Sequence, residues 1–209
     1  TLGVTAGVAY RFRNDIVLGA AIGLANADAD YNGSNSTLDS DSFTYSVYGT
    51  YFTDRFYVDM LALFGGIDFD TERTLNFMDA MGGVDTTALG QTDGDQRVFS
   101  ANFGYNIDRD GWLFVPFIGY DYLDTNIDAY RETQGQGWEL AFDEQSVQSQ
   151  IWSAGLRMSY THSASWGVLV PHLRLASQHE MEDDLRVITA RFANDPGATR
   201  FRFFTDAPD

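Results

Sequence analysis

The residues of this chain that could do chemistry are few. Asp28, Asp30, Asn32 and Gly33, with Asp39 after them, follow the D-x-D-x-N-G-x5-E spacing of a calcium loop, except that Asp stands where the final Glu belongs. Carboxylates at alternate positions around a Gly turn can surround a hard cation with oxygen ligands. The flanking segments alternate like strands rather than helices, and Asn35 occupies a position that such loops keep apolar. His162, His172 and His179 have no metal-ligand spacing. No Gly-x-Ser-x-Gly elbow, His-Glu-x-x-His pair or Gly-rich phosphate loop occurs. With no Cys, thiolate zinc sites and a disulfide scaffold are excluded. A net charge of −17 makes nucleic acid an improbable partner, because phosphate binding needs clustered Lys and Arg. Neither an enzyme nor a bound cofactor is expected.

What remains is a set of charges inside strand patterns. Leu2, Val4, Ala6, Val8, Tyr10 and Phe12 alternate with Gly3, Thr5, Gly7, Ala9 and Arg11. After Arg13-Asn14-Asp15, Ile16, Leu18, Ala20, Ile22 and Leu24 alternate with Val17, Gly19, Ala21, Gly23 and Ala25. Side chains of a strand alternate faces, so each run has one apolar face and one of small residues with a single Arg. A soluble sandwich covers its outer face with charged residues; this second face is too small and too poorly charged for that. It reads as an enclosed interior, which leaves the apolar face to meet something other than protein.

The pattern continues in strands expected at about 2–12, 16–25, 42–52, 56–69, 96–107, 112–127, 145–161 and 166–180, with a short strand at Arg186 to Phe192. Alternation slips at Gly65-Gly66, which suggests a bulge or bend. The connections after the first, third, fifth and seventh strands are about three or four residues, those after the second, fourth and sixth about fifteen or more. Thr71 to Asp95 reads as one such long polar connection. Short turns thus gather at one end and long loops at the other, the pattern of outer-membrane barrels. Trp112 and Trp166 each lie just beyond a short turn, where an interfacial aromatic girdle is expected. Strands of about ten tilted residues match a hydrocarbon layer. No run of 18 apolar residues occurs, so a transmembrane helix is not expected.

With the apolar faces toward lipid, Arg11, Asp59, Asp121, Arg157, His172 and Arg174 fall on the opposite face among Gly, Ser, Thr and Asn. Two readings stand for them. They form internal salt bridges, or they line a polar channel, where charges of both signs are cheap compared with the lipid face.

Several segments together resemble the β-domain of autotransporters, the type V secretion translocators of Gram-negative bacteria. They are Gly7-Val8-Ala9-Tyr10-Arg11-Phe12 with Leu18-Gly19-Ala20-Ala21-Ile22-Gly23, Ser46-Val47-Tyr48-Gly49-Thr50-Tyr51-Phe52, and Gly111-Trp112 with Pro116. Ser146-Val147 with Gly155-Leu156-Arg157-Met158-Ser159-Tyr160, Val170-Pro171 with His179-Glu180, Ile188-Thr189-Ala190-Arg191-Phe192 and Thr205-Asp206-Ala207-Pro208-Asp209 continue the likeness. The resemblance implies an all-β, antiparallel up-and-down transmembrane barrel in the outer membrane, of twelve strands in the family and about eight here. It implies partners too: outer-membrane lipid and lipopolysaccharide, the protein's own passenger with its linker helix, and the barrel-assembly machinery. Asp-rich loops at the outer face of such barrels meet lipopolysaccharide phosphates through divalent ions, a second account of the 28–39 segment. The whole of 1–209 is then a partial β-barrel domain, expected to be a fragment lacking passenger, linker helix and C-terminal strands. A small complete barrel of porin or adhesin type, and a soluble β-sandwich or ligand-binding barrel with its large residues inside, remain as alternatives.

Overall fold

The computed structural model describes residues 1–30, 35–79, 82–182, 187–197 and 199–204. In chain order the strands are β1 (Leu2–Phe12), β2 (Ile16–Asp30), β3 (Thr37–Phe52), β4 (Phe56–Asp79), β5 (Gly82–Tyr105), β6 (Ile107–Arg109) and β7 (Trp112–Ile127). They continue with β8 (Tyr130–Arg131), β9 (Leu140–Phe142), β10 (Gln145–Tyr160), β11 (His162–Ala164), β12 (Gly167–Leu169), β13 (His172–Glu180), β14 (Val187–Phe192) and β15 (Arg200–Phe204). The main sheet runs β1-β2-β3-β4-β5-β7-β10-β13, with β6 against β7, all antiparallel. A smaller sheet, β15-β14-β9-β8, and the hairpin β11-β12 stand beside it. Among the described residues β1 and β13 do not pair with each other.

The tight turns follow local chemistry. Asp110 and Gly111 both take positive φ, 51° and 82°, the combination that joins strands in their own twist. Thr53 Oγ1 accepts hydrogen bonds from the N–H groups of Arg55 and Phe56, fixing the turn between β3 and β4.

The structure corrects several expected boundaries. The 71–95 connection is strand: β4 runs on to Asp79 and β5 begins at Gly82, with Thr71 opposite Gly90 and Arg73 opposite Ala88. Likewise β2 reaches Asp30 and β3 begins at Thr37. No extra residue enters at Gly65-Gly66, since Thr44 faces Gly65 and Phe43 faces Gly66 in unbroken register. What changes there is the polarity of the faces. Below that level the apolar residues Phe56, Val58, Met60, Ala62 and Phe64 share one face; above it the same face carries Asp68, Asp70 and Glu72, while Ile67, Phe69 and Leu75 fall on the other. In β2 the same switch comes at Asn26. An alternating strand whose faces exchange polarity looks like a broken strand or a loop, which is how the extensions escape a reading of one apolar face. The eighth expected strand, 166–180, is split at Val170-Pro171, since Pro171 has no N–H for a ladder.

The apolar face has an internal order. Phe43 and Tyr51 in β3, Phe56 and Phe64 in β4, Trp112 and Tyr120 in β7, and Trp152 and Tyr160 in β10 are each eight residues apart. Register aligns them in two rows. Tyr51, Phe56 and Phe103 meet near the short turns, with ring centroids 5.7 and 6.0 Å apart, and Trp112 lies 4.8 Å from Tyr160. Near the other border Tyr45 stacks on Phe64 at 5.5 Å and Tyr120 meets Trp152 at 4.9 Å. Leu18, Ala20, Val47, Met60, Ala101, Ile118 and Leu156 fill the band between. Eight residues span about 26 Å along a strand and about 20 Å across a layer at the usual tilt of about 40°. Large apolar side chains of this face are widely exposed, Val8 at 72% and Leu24 at 62%, and among the described residues no large side chain is fully buried. A sheet with so much exposed apolar surface requires an apolar solvent.

Candidate functional site

The inner face is built from small residues because neighbours pack against its backbone. A Cβ on Gly19 would overlap the Tyr48 ring, and one on Gly104 would overlap Tyr57. Those two tyrosines therefore lie flat along the wall. Gly119 is closed in by Asn102 Oδ1 and Ser153 Oγ, each 2.5 Å from where a Cβ would stand.

All six charged residues expected on this face lie on it. They do not pair with one another. Asp59 accepts a hydrogen bond from Thr50 Oγ1 at 2.8 Å, and Asp121 one from Ser100 Oγ at 2.5 Å. The guanidinium of Arg11 sits over the Phe52 ring at 5.1 Å. Arg157 and Arg174 stand directly opposite each other on β10 and β13, one row from the facing pair Ser159 and His172. Arg157 reaches across the strands between β10 and β4, lying over the Tyr57 ring at 5.2 Å and donating to Tyr57 Oη. Both side chains lie along the two intervening strands, Tyr57 over Gly104 and Arg157 over Phe117. Beside them a cavity of about 470 Å³ is lined by Tyr57, Asn106, Arg157, Ser159, His172 and Arg174.

At the opposite end of the same face a different site appears, which the sequence did not suggest. Arg73 donates from Nε and Nη2 to the two oxygens of Glu132, at 2.8 and 2.5 Å, and from Nη2 to the Trp138 carbonyl at 2.9 Å. Glu132 is 3% exposed and also accepts the Leu140 N–H at 2.7 Å. Leu38, Phe69, Leu75, Ile127, Phe142 and Ile188 line the cavity of about 860 Å³ beside this pair. Glu139 nearby is held below the usual carboxylate range by its own backbone N–H and that of Gly137. The only sequence signal was Arg73 inside a segment read as loop; its partner lies 59 residues away.

The remaining candidates are placed as follows. Trp112 is in the aromatic row near the short turns, stacked on Phe114 at 5.7 Å. Trp166 is in the β11–β12 turn with its ring exposed. In the calcium-type spacing Asp28 stands opposite Asp39 and Asp30 opposite Thr37, on regular strands; Asn32 lies outside the described residues. Among the described residues no group of three or more acidic or His side chains is arranged to hold a metal ion. Asp41, Asp68 and Asp93 form a row across three strands on the outer face, just past the apolar band. Asp68 is raised above its ordinary value, chiefly by its hydrogen bond with Asp93.

Comparison with known proteins agrees with this geometry. The sequence model of the family described as autotransporter beta-domain matches residues 1–209. A Pseudomonas putida protein from the trpE-trpG intergenic region is 31% identical over 92% of this chain and 32% of its own length. Esterase EstA of Pseudomonas aeruginosa is 27% identical over 93% of this chain and 30% of its own. The chain thus spans about a third of the length of these two relatives. Among solved structures, the translocator domain of autotransporter NalP from Neisseria meningitidis superposes with a TM-score of 0.66 at 17% identity, covering 98% of this chain and 74% of that one. The β domain of the Bordetella autotransporter BrkA gives 0.61 at 17%, covering 90% and 74%. The chain belongs to the autotransporter β-domain family, the outer-membrane translocator barrels of type V secretion in Gram-negative bacteria.

Proposed function

We propose that this domain anchors a passenger polypeptide N-terminal to it and assists its passage to the cell surface, through a lumen lined by Arg11, Asp59, Asp121, Arg157, His172 and Arg174. The observation that carries the reading is the division of one sheet into an exposed apolar belt between two aromatic rows and an opposite wall of Gly, Ser, Thr and charges that do not pair with one another. Lipid solvates the first and cannot solvate the second. Trp112 and Trp166 meet the lipid headgroups at the end with short turns. The acidic row of Asp41, Asp68 and Asp93 faces the lipopolysaccharide at the other rim, and insertion depends on the barrel-assembly machinery. EstA is named an esterase; any such chemistry in this protein belongs to its passenger, and the domain itself catalyses nothing.

The test is expression of the full-length gene product in a Gram-negative host. Outer-membrane fractions should contain a heat-modifiable protein, and protease added to intact cells should remove the passenger while leaving the domain. A passenger protected in intact cells but digested after the outer membrane is opened would overturn export; a domain folded and monodisperse in buffer without detergent would overturn the anchor.

A further inference from the structure

Arg157 and Arg174 present a local problem. Like charges directly opposite on one face of a sheet repel, and the β10–β13 register places these two in that position. A neutralising carboxylate is the ordinary remedy. Among the described residues the ion pairs are Arg73–Glu132, Arg97–Asp95, Arg109–Asp110 and Arg200–Asp143, and neither Arg157 nor Arg174 is among them. The carboxylates of this face have other partners or stand apart: Asp59 and Asp121 accept from hydroxyl groups, Glu180 accepts from Ser149 Oγ and the Gln150 N–H, and Asp108, two strands from Ser159 in the same row, is in none of those ion pairs.

What the wall supplies to the arginines is aromatic. Phe117 lies under both guanidinium groups, 5.4 Å from Arg157 and 5.1 Å from Arg174, and Tyr57 lies under Arg157. A ring face holds a guanidinium plane in place while leaving most of its edge N–H donors unspent. Phe117 is itself buried and Gly155 presses on it, so this platform is fixed. The result is two oriented donor forks at the rim of the 470 Å³ cavity, with Ser159, Asn106 and His172 as further polar groups.

We propose that Arg157 and Arg174 form an oxyanion-binding site on the lumen wall, taking a carboxylate or phosphate group. Planar guanidinium forks match such groups in bidentate fashion, and one bound negative charge relieves the repulsion of the pair. The site rests on the lumen reading above, and its test separates the two.

The experiment uses the full-length protein folded in detergent with Ser159→Cys, a single thiol in a stretch that carries none of its own. This introduced thiol should react about tenfold faster with an anionic methanethiosulfonate reagent than with a cationic one of similar size, because two charges at this range act through a partly screened aqueous lumen. In the background R157Q/R174Q the ratio should fall to near one. Millimolar inorganic phosphate should slow labelling in the parent and not in the double variant. A short oligoglutamate that protects as well identifies a polypeptide carboxylate as an acceptable source; protection by phosphate alone restricts the site to free anions. Heat-modifiable migration verifies that each variant is folded. If the thiol of Ser159→Cys reacts with neither reagent while that of Asp54→Cys, in an exposed turn, reacts with both, the wall is not wetted and the lumen reading fails. If the thiol of Ser159→Cys reacts equally with both reagents and phosphate gives no protection, the lumen stands and the anion site is overturned.

Discussion

The two ends of the inner face handle their arginines in opposite ways. At the end with long extensions, Arg73 is paired: Glu132 takes two of its N–H donors and the Trp138 carbonyl a third, with Glu132 buried. At the end with short turns, Arg157 and Arg174 rest on aromatic rings and meet no carboxylate among the described residues. The first arrangement ties β4 to the segment between β8 and β9 and is spent on the fold. The second orders the side chains without consuming their charge. Equal residue types on one wall thus serve holding at one end and availability at the other, and the partner of each guanidinium decides which.

The largest test of this contrast is Glu132→Ala. It leaves Arg73 and the Leu140 N–H without their acceptor, and loss of one member of a buried pair costs about 3–5 kcal/mol. Hydrogen exchange should show it as lost protection at Thr133 and Leu140, whose neighbours in β8 and β9 share that contact. By contrast, R157Q/R174Q should leave the unfolding midpoint in detergent unchanged or slightly raised, since it removes a repulsion; a loss comparable to Glu132→Ala would mean that these arginines hold the fold as well.

Next comes Gly155→Ala. Its Cβ would meet the Leu175 carbonyl oxygen and the Phe117 ring. Backbone cannot swing aside as a side chain does, so the β10–β13 pairing must shift, at about 1–3 kcal/mol. Because Phe117 carries both arginines, the reagent preference of the thiol in Ser159→Cys should fall with it. Gly104→Ala is the milder counterpart, since the crowded atoms belong to the far end of the Tyr57 side chain. Tyr57 should rotate away and release Arg157 with little change in unfolding midpoint.

The smallest effect concerns Asp195, between β14 and β15. It accepts the N–H groups of Gly197 and Thr199, each at 2.8 Å, and these donors hold its carboxyl below the ordinary value. A depressed folded pKa favours the loop above the unfolded value, and that contribution disappears as pH falls through the folded one. Amide exchange at Gly197 and Thr199, corrected for intrinsic rates, should show protection at pH 6 that is reduced at pH 3. In Asp195→Asn the protection should no longer depend on pH over that range.

Much of the belt was legible in the sequence. Alternation in Leu2–Phe12 and Ile16–Leu24 reveals two strands and their faces, because backbone pleating alone assigns side chains to faces. Arg11, Asp59, Asp121, Arg157, His172 and Arg174 could be assigned to the inner face by the same parity. The second aromatic row was also readable, through the spacing of eight residues in β3, β4, β7 and β10, but only when whole strands are compared. The extensions of β4 and β5 were hidden, because past Gly66 water replaces the apolar solvent outside and the faces exchange polarity.

What the sequence by itself determined, then, is which residues face which way within each strand, since that depends on neighbours one and two positions along the chain. Only the tertiary structure decided who stands next to whom. The pairing of Arg157 with Arg174 depends on the β10–β13 register, and the connection between those strands does not announce it. Arg157 meets Tyr57 because the strand order sets β5 and β7 between them and both side chains lie along those two strands. Arg73 finds Glu132 because two segments far apart in sequence close over the same cavity. Parity is a local property of the backbone, whereas register and strand order belong to the assembled sheet, and the two arginine sites differ only at that second level.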